Sequence, residues 1–89
     1  MGFDKGHFKK DILGIAAKAA PRTLTICRHN LENNLSKVQD NKDELDKDRY
    51  KLIVARLLDL IKLIDDNDMA DAEKVKKLKN DLRLFNNII

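Results

Sequence analysis

Apolar residues recur along most of the chain at alternating spacings of three and four, which places them along one side of an α-helix. Pro21 interrupts this pattern, because proline disfavours helical dihedrals in the residue before it. The polar stretches at 40–43 and 65–68 interrupt it twice more. We therefore predict four helices: Asp4–Ala19, Arg22–Gln39, a third that ends near Asp65, and a fourth that runs to Ile89.

The third and fourth segments carry matching apolar stripes. Both follow spacings of 3, 4, 3 and 4, and the stripes are Tyr50, Ile53, Leu57, Leu60 and Ile64 in one and Val75, Leu78, Leu82, Phe85 and Ile89 in the other. Two such helices joined by a short loop predict an antiparallel hairpin. The third helix also carries apolar residues outside its stripe, so we expect it to be the central helix, covered on several sides.

The local details of the second helix and of the two loops are also predicted. Cys27 lies on the apolar side of the second helix and is expected to be buried. Asn34 falls at an inward position, but the drift of a 3.6-residue period favours Leu35 there instead. Asn41, with Glu44 three residues later, predicts the capping box of the third helix, and Asn67 or Asp68 is expected to cap the fourth.

Length and composition place the chain in a narrow class. Eighty-nine residues allow one domain, and 43% hydrophobic residues with three Gly and one Pro favour a helical core over a turn-rich sheet. The fold class is therefore all-α: residues 1–89 form a single small antiparallel helical bundle of four helices, the first of them shorter.

The lone cysteine and the hydropathy pattern bear on location. One cysteine cannot form an intramolecular disulfide, which is typical of a reducing compartment. The N-terminal segment MGFDKGHFKK lacks the apolar stretch of a secretory signal. The longest apolar run, 52–64, is interrupted by three charged residues and is too short to span a membrane. We expect a cytoplasmic protein without a membrane partner.

No established catalytic or metal-binding motif occurs in the chain. It contains no Cys-x-x-Cys, no His-Glu-x-x-His and no Gly-Lys-Ser/Thr loop. The Asp-rich loop at 65–68 does not fit a calcium-binding EF-hand, because Met69 or Ala70 occupies a position that needs an oxygen ligand. We therefore expect no metal, no cofactor and no enzymatic activity.

One spacing is similar to a catalytic motif. Arg22 and His29 are separated by six residues, which resembles the Arg-x4–6-His motif of the HEPN ribonucleases. The resemblance covers two residues, and Thr23 replaces the polar residue that usually follows the arginine in that family. It implies a helical ribonuclease that works across a dimer, which is the most remote of the three hypotheses.

Charge is distributed unevenly along the chain. The formal net charge is +3, from 18 Lys and Arg against 15 Asp and Glu. Residues 1–38 carry a net +4, residues 39–73 a net −5 and residues 74–89 a net +4. Such patterning suits the recognition of a charged partner. The candidate partner-binding residues are Lys74, Lys76, Lys77, Lys79, Arg83, Arg22 and Arg28.

These features favour a non-catalytic protein–protein interaction module, such as a small inhibitor, immunity-type or adaptor protein that occludes a partner protein. In size, basicity and architecture the chain is similar to bacteriocin immunity proteins and to phage or plasmid inhibitors of host enzymes. The segment from Glu44 to Leu58 resembles the helix 2–3 region of the pediocin-like immunity proteins.

The alternative function is nucleic-acid binding through the basic face of the last helix, formed by Lys76, Lys79 and Arg83. The chain is expected to be a monomer or a homodimer. In the homodimer, surplus apolar surface on the third helix, Phe3 and Ile88–Ile89 would complete a small core.

Overall fold

The computed structural model describes residues 3–89 and confirms a bundle of four helices without strands in that range. Helix α1 spans Lys5–Lys18, α2 spans Leu24–Asp40, α3 spans Lys47–Asp65 and α4 spans Asp71–Ile88. The first helix is the shortest, with 14 residues against 17 to 19 in the others.

Each helix packs against two neighbours, α1 on α2, α2 on α3, α3 on α4 and α4 back on α1. Contacts between opposite ends of neighbouring helices show that the packing is antiparallel. Arg28, near the start of α2, donates a hydrogen bond to Asp65 at the end of α3. Lys74, near the start of α4, donates one to the backbone carbonyl of Ile64, also near the end of α3. Phe8 and Phe85 close the bundle, with ring centroids 6.1 Å apart in an edge-to-face arrangement.

The predicted apolar stripes form the core. The helix α3 contributes five buried apolar side chains, more than any other helix, and packs on both α2 and α4. Its flanks are less covered than expected, since Leu52 and Leu58 stay exposed. The buried core consists of Phe8, Ile12, Ile15, Ala16, Ala19, Leu24, Cys27, Leu31, Val38, Ile53, Leu57, Leu60, Ile61, Ile64, Leu78, Leu82, Phe85 and Ile89.

Cys27 is buried as predicted. Removal of the thiol from water raises its pKa above the ordinary value of 9.0, because the thiolate is poorly solvated there. The thiol therefore behaves as part of the core.

The junction between α1 and α2 is a short 3-10 turn, Pro21–Thr23, where the sequence predicted the first turn of the second helix. Thr23 stabilises this turn: its hydroxyl donates to the Lys18 carbonyl at 2.8 Å and accepts from the Ala20 N–H at 2.9 Å. The turn packs against α4, so the loop is part of the bundle wall.

The predicted start of the third helix is wrong. Asn41 ends α2 instead, and its side-chain amide donates to the Lys37 carbonyl at 2.7 Å. A 3-10 turn follows at Lys42–Glu44, and Asp46 caps α3 by accepting from the Arg49 N–H at 3.2 Å. Leu45 and Tyr50 flank this cap as a hydrophobic staple would, and both pack partly buried against the core.

Two further local predictions are wrong. Neither Asn67 nor Asp68 caps α4, because its N-cap is Ala70. The loop before α4 is stabilised by Asp66, whose carboxylate accepts a hydrogen bond from the Asp68 N–H at 2.9 Å. In α2 the buried inward residue is Asn34, only 4% exposed, whereas Leu35 is half-buried beside it. The Asn34 amide donates to the Asn30 carbonyl, and its Oδ1 has no hydrogen-bond partner within residues 3–89.

No helix within residues 3–89 combines the length and the hydropathy of a membrane span.

Candidate functional site

The basic surface, defined here as Lys76, Lys77, Lys79 and Arg83, lies on α4 opposite its buried stripe. Lys79 is half-buried and the other three are exposed, and no acidic group lies within ion-pairing distance of any of them in residues 3–89. Lys79 and Arg83 are four residues apart, a spacing at which like charges repel each other on a helix. No carboxylate within residues 3–89 forms an ion pair that would offset this repulsion.

The basic surface has a shallow depression between its side chains. Its volume is about 610 Å³, and Met69, Glu73 and Asn80 complete the wall. The lysine stems and Met69 give the depression an apolar floor, while Glu73 adds one negative charge among the positive ones. The site therefore combines cations, an anion and apolar groups in a small area.

Lys74 lies apart from the basic surface, although it is next to it in sequence. Its side chain is buried, with a residue exposure of 7%, and its Nζ donates to the Ile64 carbonyl at 2.8 Å. The carboxylate of Asp71 lies 4.0 Å from the same nitrogen. The ammonium therefore satisfies a carbonyl in the last turn of α3 that has no helical partner.

Arg28 is likewise held by the fold. Its guanidinium forms two hydrogen bonds to Asp65, at 2.7 and 3.0 Å, and a third to Glu32. The bond from Arg28 holds the pKa of the Asp65 carboxyl below its ordinary value of 3.8, against a smaller effect of desolvation. The pair ties α2 to α3, so it lies away from α4's solvent-facing side.

Arg22 is exposed in the 3-10 turn that packs on α4, and it does not line the depression of the basic surface. His29, the second residue of the HEPN-like spacing, is exposed on α2. The hydroxyl of Thr23, which follows Arg22, is engaged by the backbone of the turn. Within residues 3–89, no three His, Cys, Asp or Glu side chains gather as a metal ion would need.

A second surface lies between α3 and α4; the sequence predicted surplus apolar surface on the third helix and at Ile88, but not the groove between the two helices or the part played by Leu84. The α3/α4 groove, defined here by Arg56, Asp59, Asp81, Leu84 and Ile88, has a volume of about 350 Å³ above the buried side chains of Leu60 and Phe85. Leu84 is 57% exposed and Ile88 is 46% exposed. Their spacing of four outside the main stripe was the available sign of a second apolar strip on α4. By contrast, Phe3 is half-buried against Phe8, and Ile89 is buried, so neither adds surplus surface.

Comparison of the chain with protein-family models, with curated proteins and with solved structures gave no match.

Proposed function

We propose that the chain is a non-catalytic protein-binding module whose basic surface engages an acidic region of a partner protein and occludes it. The observation that carries the proposal is the group of cations on the solvent side of α4, none of which has an acidic partner within residues 3–89. Charged groups of this kind steer encounter and select the partner, and exposed Arg22 is a further candidate contact for it.

Two details favour a protein partner over nucleic acid. Glu73 lies among the cations, where it repels phosphates but can pair with a basic residue of a protein. The four aromatic residues lie elsewhere: the ring of Phe8 contacts those of Phe3 and Phe85, and Tyr50 lies beneath Lys42. The basic surface therefore has no aromatic ring on which a base could stack.

The proposal extends to the kind of protein. An occluding module of this size and basicity suits an inhibitor, immunity-type or adaptor role, in the style of phage- or plasmid-encoded proteins. The lone buried Cys27 favours a reducing location such as the cytoplasm.

The test is a pull-down from native lysate, with and without nuclease, followed by binding measurements with the purified partner. Charge reversal of Lys76, Lys79 and Arg83 to Glu is expected to abolish capture of a stoichiometric protein. The matched control reverses Lys47, Lys51 and Lys62, which are exposed on α3 and change the net charge equally. Equal loss of capture in both variants would refute a role for the basic surface.

Nucleic-acid binding is the second candidate, because Lys76, Lys79 and Arg83 follow one another along about 10 Å of helix and suit a phosphate backbone. It predicts that capture disappears after nuclease treatment. Three phosphate contacts would give a slope of about −3 in log K against log salt concentration, and replacement of the three residues by Ala would flatten it. The HEPN-like alternative predicts RNA cleavage by the purified protein that is lost in His29→Ala.

A further inference from the structure

The α3/α4 groove has the features of a second interface, separate from the basic surface of the proposed function. Leu84 and Ile88 follow each other by one turn along α4, and both are about half exposed at the edge of the groove. A single exposed leucine is ordinary in a soluble protein. Leu84 and Ile88 are instead neighbours on one face, and with the groove and its charged rim they form an apolar strip bordered by polar groups, the arrangement that a partner molecule covers.

The rim of the groove carries both signs of charge. Arg56 and Asp59 come from α3, and Asp81 comes from α4. None of these three side chains has an ion-pair partner within the part of the chain that the structure describes. Their charges are thus available to a molecule that covers the groove.

We propose that a second copy of this chain covers the α3/α4 groove in a two-fold symmetric dimer. A two-fold interface brings one surface against itself, so the surface must be complementary to its own charges. The groove meets this condition, because Arg56 of one copy can face the acidic rim of the other while Leu84 and Ile88 enter the facing groove. The basic surface does not meet it, because four cations repel their own copies.

The test is the mass of the purified full chain in sedimentation or light scattering, from about 1 µM to 1 mM, which spans moderate to weak association. The wild type is expected to reach twice the monomer mass within this range. Leu84→Asp is expected to raise the dimer dissociation constant at least about 30-fold, since Leu84 is used twice by symmetry. The matched control is Ile26→Asp, which changes a side chain of nearly equal exposure (58%) on α2 and should leave association unchanged.

A charge exchange separates self-association from capture of another protein. Arg56→Asp makes the rim wholly acidic, and Asp59→Arg with Asp81→Arg makes it wholly basic. Each variant alone is expected to be monomeric, and an equimolar mixture is expected to form a one-to-one dimer in native mass spectrometry. These side chains are not in the core, so the exchange remains informative if Leu84→Asp fails to fold.

Three outcomes would overturn the proposal. The first is a wild type that stays monomeric even at about 1 mM, where weak association would still be detected. The second is a folded Leu84→Asp variant that dimerises as the wild type does. The third is a pair of folded charge variants that do not associate when they are mixed. Monomeric wild type that binds a lysate protein through Leu84 would assign the groove to a different partner. Because the basic surface is intact in all these variants, their failure would leave the proposed function unaffected.

Discussion

Lys74 offers the sharpest test of the structure, because the sequence assigns it to partner binding and the fold assigns it to stability. The perturbation is Lys74→Met, which keeps most of the apolar stem and removes the ammonium. In the wild type the buried Ile64 carbonyl accepts a hydrogen bond from Lys74 Nζ at 2.8 Å. The variant removes this donor and leaves the carbonyl buried.

The magnitude follows from this geometry. A hydrogen bond from a charged donor contributes about 1.5–3 kcal/mol, and a cation beside a helix C-terminus adds about 0.3–1 kcal/mol. The cost of dehydrating the ammonium disappears in the variant and offsets part of this loss. We expect the free energy of unfolding to fall by about 2 kcal/mol, which for a domain of this size lowers Tm by about 8–16 °C.

The assay is urea and thermal unfolding followed by far-UV circular dichroism, with Lys76→Met as the control. Lys76 is exposed two residues away on the same helix, so its replacement should change the unfolding free energy by less than about 0.5 kcal/mol. Binding of the partner should respond in the opposite order, weakening in Lys76→Met and persisting in folded Lys74→Met. A Lys74→Met variant as stable as the wild type but defective in binding would refute the reasoning.

Two other positions test the polar details of the bundle. Asn34→Leu is expected to raise the free energy of unfolding by about 1 kcal/mol, because it removes a buried acceptor that no donor in the described part of the chain satisfies; a loss of stability in urea unfolding would contradict this. Asp65 has a lowered pKa in the folded state, so its contribution to stability is present above its unfolded pKa near 3.8 and is lost as the pH falls through the lower folded value. Asp65→Asn should therefore be less stable than the wild type at neutral pH, and the gap between their urea midpoints should close in strong acid; a gap independent of pH would argue against the ion pair with Arg28.

The long-range features of the fold were predictable from the sequence, because they rest on periodicity. The stripes of α3 and α4 give the buried faces correctly, as Leu57 and Leu82 illustrate, both of them fully buried. Periodicity is repeated over several turns, so one aberrant residue does not change the prediction. The ends of α1 were also predicted to within one residue, because Asp4 caps the helix and Pro21 limits its far end.

The local choices were less predictable, because several residues of the same type compete for each role. Asn41 and Asp46 are both good helix caps, and the choice of Asp46 depends on where Leu45 packs. Asn34 and Leu35 differ by 100° on the helix, and the approach of α1 decides which one is buried. The candidate site depends in the same way on tertiary packing, since only the structure separates the buried Lys74 from the exposed Lys76.

The contact between Phe8 and Phe85 has a consequence for folding. Among the four interfaces of the bundle, α1 with α4 joins the segments that are furthest apart along the chain, whereas the other three join consecutive helices. The α1–α4 interface therefore has the largest entropic cost of loop closure. Because of this cost, the three local hairpins can form before α1 packs on α4. A circular permutant that joins α4 to α1 and opens the loop at 66–70 would make this contact local and would transfer the entropic cost to the α3–α4 interface.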